Sequence, residues 1–384
     1  FLKNTEFEAI LSQKDGKPIE KLDIKTEKEA KDILQDLEGA EYRVAAIEKK
    51  ETRKNPLPPF ITSTLQQTAS QRFHLPAAFT MRLAQQLYET GLITYHRTDS
   101  LNLAQSSLEA AKNFIVKEYG QSYWTGAFRQ FKTKSKGAQE AHEAIRPAFA
   151  EASAGKPTFP TPTQLKKLTP PQQKLYTLIW QRFLASQMSP AIFDATTVGI
   201  VARNYGFRAN GQMLKFDGFL KVYPMKFEEA DLPSLKKDEA LDLKELIPSQ
   251  HFTEPPPRYN EATLIKALEL HGIGRPSTYA PILSTIQERN YIEKNEQRRF
   301  KPTEIGETVN DLLVEHFPNI VDIQFTAKME NDLDEIVANK KEWRPMIKEF
   351  YDPFEKNLEK KYKEVATQKV AVETTDKPCP ECGK

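Results

Sequence analysis

The sequence predicts a mixed α+β chain of several domains. Three observations point that way. Its 384 residues exceed what one core ordinarily holds and should divide into two or three domains. Helical periodicity and β-branched alternation occupy separate long stretches instead of alternating in short units. The Pro-rich segments Asn55-Pro56-Leu57-Pro58-Pro59 and Pro255-Pro256-Pro257 stand at changeovers, where neither helix nor strand can propagate. These divide the chain into residues 1–56, with short strands; 57–187, helical; 188–256, strand-rich; 257–370, helical; and a tail, 371–384.

The elements follow in order. Thr26-x-x-Glu29 reads as a capping box opening one helix, and Tyr42–Ile47 reads as a strand. Thr64-x-x-Gln67 can cap a helix that ends near Phe73. The next helix runs from about Pro76 to Thr90, because Phe79, Leu83 and Leu87 recur on one face and Gly91 stands where a C′ glycine belongs. Two helices joined so tightly suggest a helix-turn-helix arrangement. Further helices are expected at 104–118 and, after the Pro-rich segment 157–171, at 171–187. Thr196–Ala202 alternates as a strand. Asn210-Gly211 carries a hairpin signal, and strands continue through Phe219–Tyr223 and Ala240–Leu243. Residues 260–290 return to helix. A β ribbon at 291–302 precedes helices at about 303–316, 326–339 and 343–366.

Composition excludes some classes. Charged residues make up 28% of the chain, and no apolar run approaches the roughly 18–20 residues of a membrane span. Net charge is only +2, so any nucleic-acid affinity must come from local clusters such as Lys49–Lys54, Lys132–Lys136 and Arg298-Arg299. Taken singly, each of those reads first as a solvated face and only second as a DNA contact. Two cysteines, Cys379 and Cys382, give no disulfide framework, in keeping with a reducing cytoplasm. No secretory signal opens the chain. Phe1 is not an initiator, so the sequence reads as a piece of something longer.

The chemistry concentrates in Gly91-Leu92-Ile93-Thr94-Tyr95-His96-Arg97-Thr98-Asp99-Ser100. A phenol can attack phosphorus and leave a covalent ester, splitting one hard step into two. Phenols ionise near pH 10, so attack at neutral pH needs a nearby charge or base. A guanidinium two residues on can supply that charge and hold phosphoryl oxygens bidentately. The spacing alone favours Tyr95 as a half-buried aromatic and Arg97 on a solvated face. Thr98, Asp99 and Ser100 can orient Tyr95 and Arg97. Alternatively, Ser100 or Asn102 caps the helix starting near Leu103. In Ala141-His142-Glu143-Ala144-Ile145-Arg146-Pro147, a helical backbone would put His142 and Arg146 one turn apart, both aimed at a phosphate. The plainer alternative is a surface histidine paired with Glu143 or Glu140. A zinc-protease reading fails, since position 146 is Arg and not His. Arg275, Ser277, Thr278 and Tyr279 suit backbone contact and base stacking with a single strand. Pro276 with Ser277 or Thr278 also reads as an ordinary helix start.

Together these segments resemble the type IA DNA topoisomerases, and the bacterial topoisomerase I branch in particular. Gly91–Ser100 is similar to the family's active-site segment. Pro59-Phe60-Ile61-Thr62-Ser63-Thr64-Leu65-Gln66-Gln67 resembles the entry to its tyrosine domain, and Ala141–Pro147 a second active-site segment. Gly272-Ile273-Gly274-Arg275-Pro276-Ser277-Thr278-Tyr279-Ala280 resembles a DNA-contacting segment. All four stand in the family's order across nearly the whole chain. The resemblance implies a toroidal core, with helical winged-helix (CAP-like) domains joined by a β-rich arch made from 1–56 and 188–256. It implies Tyr95 as the nucleophile taking a 5′-phosphate, and Arg97 and His142 as its catalytic partners. DNA contacts fall to Thr98, Asp99, Ser100, Arg146, Arg275, Ser277, Thr278 and Tyr279. Asp99 favours topoisomerase I over topoisomerase III, while His96 departs from the methionine common there and occurs in reverse gyrases.

The implied reaction is ATP-independent relaxation of negatively supercoiled DNA by a monomer in the cytoplasm, with single-stranded DNA as the bound form. No Gly-Lys-Ser/Thr phosphate loop argues otherwise. The family's Mg²⁺ site, in its Toprim domain, is expected before residue 1. This chain alone is therefore expected to bind single strands with little relaxation activity. Cys379-x-x-Cys382 has zinc-ribbon spacing without a second pair, so Zn²⁺ is expected only in ribbons beyond it. Glu330 and Asp332-x-Asp334 look like a carboxylate metal motif but fall on the polar face of the pattern Met329…Leu333…Ile336-Val337. The competing readings are a topoisomerase III or reverse-gyrase core, and a non-catalytic single-strand scaffold in which Tyr95 merely stacks.

Overall fold

The computed structural model describes residues 6–132, 142–148 and 160–365. Cys379, Cys382 and the tail at 371–384 lie outside the described residues. In chain order the elements are β1 (Ile10–Lys14), β2 (Lys17–Pro18), α1 (Glu27–Asp36), β3 (Tyr42–Lys54), α2 (Thr62–Phe73), α3 (Ala77–Glu89), α4 (Gln105–Tyr119) and α5 (Pro170–Gln187). Then come β4 (Ala191–Ala202), β5 (Tyr205–Phe216), β6 (Ala240–Leu241), α6 (Glu261–Leu270), α7 (Tyr279–Glu288), β7 (Ile292–Lys294) and β8 (Phe300–Pro302). The chain closes with α8 (Glu304–His316), α9 (Pro318–Val321), α10 (Ile323–Val337) and α11 (Trp343–Glu364).

Strands from both sides of the helical stretch form one antiparallel sheet, ordered β2-β1-β5-β4-β3-β6. β3 runs well past Ile47. Its polar half, Glu48–Lys54, lacks the apolar alternation that marks a strand, yet it stays paired with β4 as far as Lys54↔Ala191. Val44, Val198, Ile200, Tyr205 and Phe207 bury the sheet's inner face, against Leu37 beyond α1. The expected capping box is present: Thr26 Oγ1 accepts from Glu29 N at 3.2 Å, and Glu29 Oε2 from Thr26 N at 3.0 Å.

Between Lys54 and Ala191 the chain builds a helical unit of α2–α5. Its core gathers Phe60, Leu65, Leu87, Ile93, Ile115, Ile145, Tyr176 and Phe183. Arg182, buried on α5, ties the Pro-rich entry to this core. Its Nε donates to Pro58 O at 2.6 Å, and its guanidinium lies 4.7 Å from the Phe60 ring centre. A third core packs the start of α3 (Ala77, Met81) against Ile265, Tyr279, Leu283 and Phe300 of the last helical stretch.

Four local expectations are corrected. Asn210-Gly211 does not turn: it lies inside β5, and Arg203-Asn204 makes the two-residue turn, with Arg203 at φ 52°. Phe219 and its neighbours form a 3₁₀ turn, Gly218–Lys221, because Phe219 N donates to Ser189 O and folds the chain back onto the helical unit. Thr64 is not the first cap of α2. It stands at the third helical position and accepts from Ile61 N at 3.1 Å. Neither Ser100 nor Asn102 caps α4, whose flanking residue is Ala104.

Candidate active site

The site grows from the end of α3. Gly91 adopts φ 71°, its N–H donates to Tyr88 O at 2.8 Å, and Leu92 N donates to Leu87 O at 2.9 Å. This is the double bond that ends helices on a left-handed glycine. The chain then leaves the helix axis at once, and side-chain exposure alternates: Tyr95 and Arg97 face out, while His96, Thr98 and Ser100 are buried.

Two other segments brace this run. Ile93 pairs with Pro147, Thr94 N donates to Arg146 O at 2.9 Å, and Ala148 N to Leu92 O at 2.9 Å. Ile145 N in turn bonds Phe60 O at 2.8 Å. Residues 142–148 are therefore extended, which corrects the expected helical turn: His142 and Arg146 are not helical neighbours. From below, the Thr62 hydroxyl in the first turn of α2 bridges the carbonyls of His96 (2.8 Å) and Thr98 (3.0 Å) and accepts from Thr98 N at 2.9 Å. Thr98 and Ser100 continue the ladder inside, accepting from Ser100 N and Asn102 N.

The bracing brings the His142 ring to 5.7 Å from the Tyr95 ring, edge on at 63°. Tyr95 is 38% exposed. The pairing of His142 with Glu143 is set aside, because Glu143 takes Arg146 instead: Arg146 Nη2 lies 2.6 Å from Glu143 Oε2, and Nη1 donates to Pro147 O at 2.9 Å. Arg146 is thus turned inwards, and burial lowers its pKa against the opposing pull of Glu143. His96 is fully buried, and neither ring nitrogen finds a partner among the described residues. Burial, helped by Arg97 and opposed by Glu89, pushes its pKa down to about 4, so the imidazole is neutral at pH 7.

Arg97 opens onto a cleft of about 560 Å³ between α3 and the start of α7, lined also by Arg82, Glu89, Ser277 and Ser284. Two of the expected site residues, Arg97 and Ser277, thereby meet from opposite helical stretches. Their neighbours play quieter parts. Arg275 is clamped onto α10, with Nη2 at 2.8 Å from Asp334 and Nη1 at 3.6 Å from Glu330, and it donates to Gly274 O. Thr278 Oγ1 accepts from Arg275 N at 2.7 Å. Tyr279 packs its ring into the third core, against Gly274, so it presents no face on which a base can stack. Burial foremost, then Glu269, push its phenol above the usual range, with Arg275 opposing and Asp99 adding a smaller push.

The described residues hold no group of three or more His, Cys, Asp or Glu side chains arranged for a metal. The carboxylates of the Glu330–Asp334 run are already paired, Asp332 with Lys341 at 2.8 Å and the others with Arg275. Among the described residues, no helix is long and apolar enough to cross a membrane.

Sequence reasoning missed the supports. Glu261 on α6 accepts from Ala77 N, the first residue of α3, at 2.7 Å and pairs with Lys294 at 2.6 Å. Glu269 accepts from Ser63 at 2.8 Å and Gln67 at 3.2 Å, both on α2. Their spacing puts both on one helix face, but nothing in the sequence says what that face meets.

Comparison with known proteins supplies the context. The sequence profile of a family described as DNA topoisomerase matches residues 3–348. DNA topoisomerase 1 of Pseudomonas aeruginosa is 44% identical over 362 residues, 93% of this chain and 41% of the relative. The chain thus spans about two-fifths of that relative's length. Full-length topoisomerase I from Thermotoga maritima superposes with a TM-score of 0.75 at 32% identity, over 98% of this chain and 60% of that one.

Proposed function

The chain belongs to the DNA topoisomerase family, and on that footing we propose that it is the strand-cutting part of a type IA enzyme that relaxes negatively supercoiled DNA without ATP. Single-stranded DNA is the form it grips. Tyr95 Oη attacks a backbone phosphorus. The phosphorus–phenol bond forms as the bond to the 3′-oxygen breaks. The phenol gives up its proton, the 3′-oxygen takes one up, and a 5′-phosphotyrosine remains. After another strand has passed, the 3′-hydroxyl attacks the ester, restores the backbone and frees Tyr95. The ester keeps the bond's energy, so no nucleotide need be hydrolysed.

One observation supports this reading above the others: the exposed Tyr95 ring lies against His142, two residues from an Arg97 that opens onto the interdomain cleft. Arg97 would hold the non-bridging oxygens as charge builds, and His142 would donate to one of them. Ser277, with Arg275 and Thr278 behind it, would line the strand's path. Thr98, Ser100 and Arg146 would keep Tyr95 and Arg97 aimed from within, and Asp99 would join them to α7. Mg²⁺ in this proposal is held by a domain outside the chain, and any Zn²⁺ by ribbons that Cys379 and Cys382 begin.

The test uses the protein at the full length of its relatives, with Mg²⁺ and an oligonucleotide labelled at its 3′ end. A denaturant-resistant labelled adduct should form, and Tyr95→Phe should abolish it while oligonucleotide binding persists. An adduct that survives in the Phe variant would remove Tyr95 from the chemistry. Binding with no adduct in either protein would leave the scaffold reading.

A further inference from the structure

Three rings surround that of the nucleophile, and only His142 has a role in the reading above. Tyr88, in the last turn of α3, lies edge-on to Tyr95 with centroids 5.3 Å apart at 68°. It also meets the buried His96 ring at 5.9 Å, and His96 meets Tyr95 at 5.3 Å. With His142 at 5.7 Å, the phenol is held in a cage of rings drawn from α3, the active-site run and the 142–148 segment. No hydrogen bond to the Tyr95 hydroxyl occurs among the described residues, so on this braced backbone its ring contacts are what bear on its side-chain direction.

We propose that Tyr88 is a positioning residue for the nucleophile: its ring, not its hydroxyl, fixes the angle from which Tyr95 approaches phosphorus. The proposal rests on the covalent-tyrosine reading above. Three features support it. Tyr88 is rigidly mounted, since its carbonyl receives the Gly91 N–H that ends the helix. It is 40% exposed, so replacing it empties no interior cavity, and its effect on Tyr95 is separable from folding. Edge-to-face pairs have a preferred geometry, so the contact restrains the ring's torsion as well as its place. In-line attack is sensitive to such restraint: a displacement of about 1 Å can cost about a hundredfold in rate.

The test is single-turnover adduct formation in the full-length protein with Mg²⁺, comparing parent, Tyr88→Phe, Tyr88→Leu and Tyr95→Phe. Tyr88→Leu should slow adduct formation about ten- to a hundredfold, with oligonucleotide Kd and Tm unchanged, and Tyr88→Phe should restore the parental rate. The ¹³C–¹H ring signals of Tyr95 in this chain, identified by their loss in Tyr95→Phe, should move towards free-tyrosine positions in Tyr88→Leu but not in Tyr88→Phe. A parental rate in Tyr88→Leu, unmoved Tyr95 signals, or a rate loss matched by weaker binding or lower Tm would each overturn the proposal. Failure of the parent to form any adduct would instead overturn the covalent reading on which it rests.

Discussion

At the scale of single residues, His96 sets a measurable pH dependence. Its pKa falls from about 6.5 in an unfolded chain to about 4 in the folded one, because burial strips the imidazolium of water and Arg97 repels it, with Glu89 pulling weakly the other way. Tyr88 and Tyr95, which face its ring, offer neither nitrogen a hydrogen bond. The folded form therefore binds less proton between those values. Its stability should be whole above pH 6.5 and fall as pH drops towards 4, by on the order of 3 kcal/mol in all. Urea midpoints of the parent and His96→Phe across that range should diverge; parallel curves would refute the neutral, buried imidazole. At this scale the sequence was readable where partners are neighbours: Tyr95 and Arg97 share one short run. The inward turn of Arg146 was not readable, since it depends on an extended backbone that long-range pairing with Phe60 and with Leu92–Thr94 imposes.

Among the elements, α6 acts as a fastener. Glu261 serves as the N-terminal cap of a helix it does not belong to, taking up the Ala77 N–H that α3 leaves unmet behind Pro76. Glu269 ties α6 to the first turns of α2 through side chains instead, accepting from the Ser63 hydroxyl and the Gln67 amide. Glu261→Ala strands a buried N–H and the Lys294 ammonium, and should cost about 1–3 kcal/mol by urea unfolding. Glu269, at an exposed edge, should cost less than about 1 kcal/mol. Equal costs would show that the cap in trans adds nothing. Several helices were readable from periodicity and caps, as α1 and α3 illustrate, because those signals lie within the segment. The misreadings share a cause. Asn210-Gly211 turns readily in isolation, but β5 is held straight by β4 along its whole length. Phe219–Tyr223 is apolar and short enough to read as a strand, but Ser189 takes its backbone.

For the whole molecule, the junctions matter most. The helical unit hangs from one pair of strands: it leaves at Lys54 and returns at Ala191, which are paired residues. The return is packed tightly. Gly218 has φ 47°, and a Cβ there would overlap the Pro190 carbonyl. Gly218→Ala should therefore destabilise the chain by about 2 kcal/mol or more, through strain and steric conflict together, measured as a drop in urea midpoint. An unchanged midpoint would mean that the junction yields freely. The joining of strands across such a span could not be read locally, since the charged half of β3 carries no sign of its partner. Its consequence is temporal. As the polypeptide emerges during synthesis, β3 must wait, unpaired along both edges, while well over a hundred further residues are made. The intervening helices, rich in local contacts, can condense first. By condensing they draw the facing ends of β3 and β4 together, so the sheet is zipped shut by the helices it will carry.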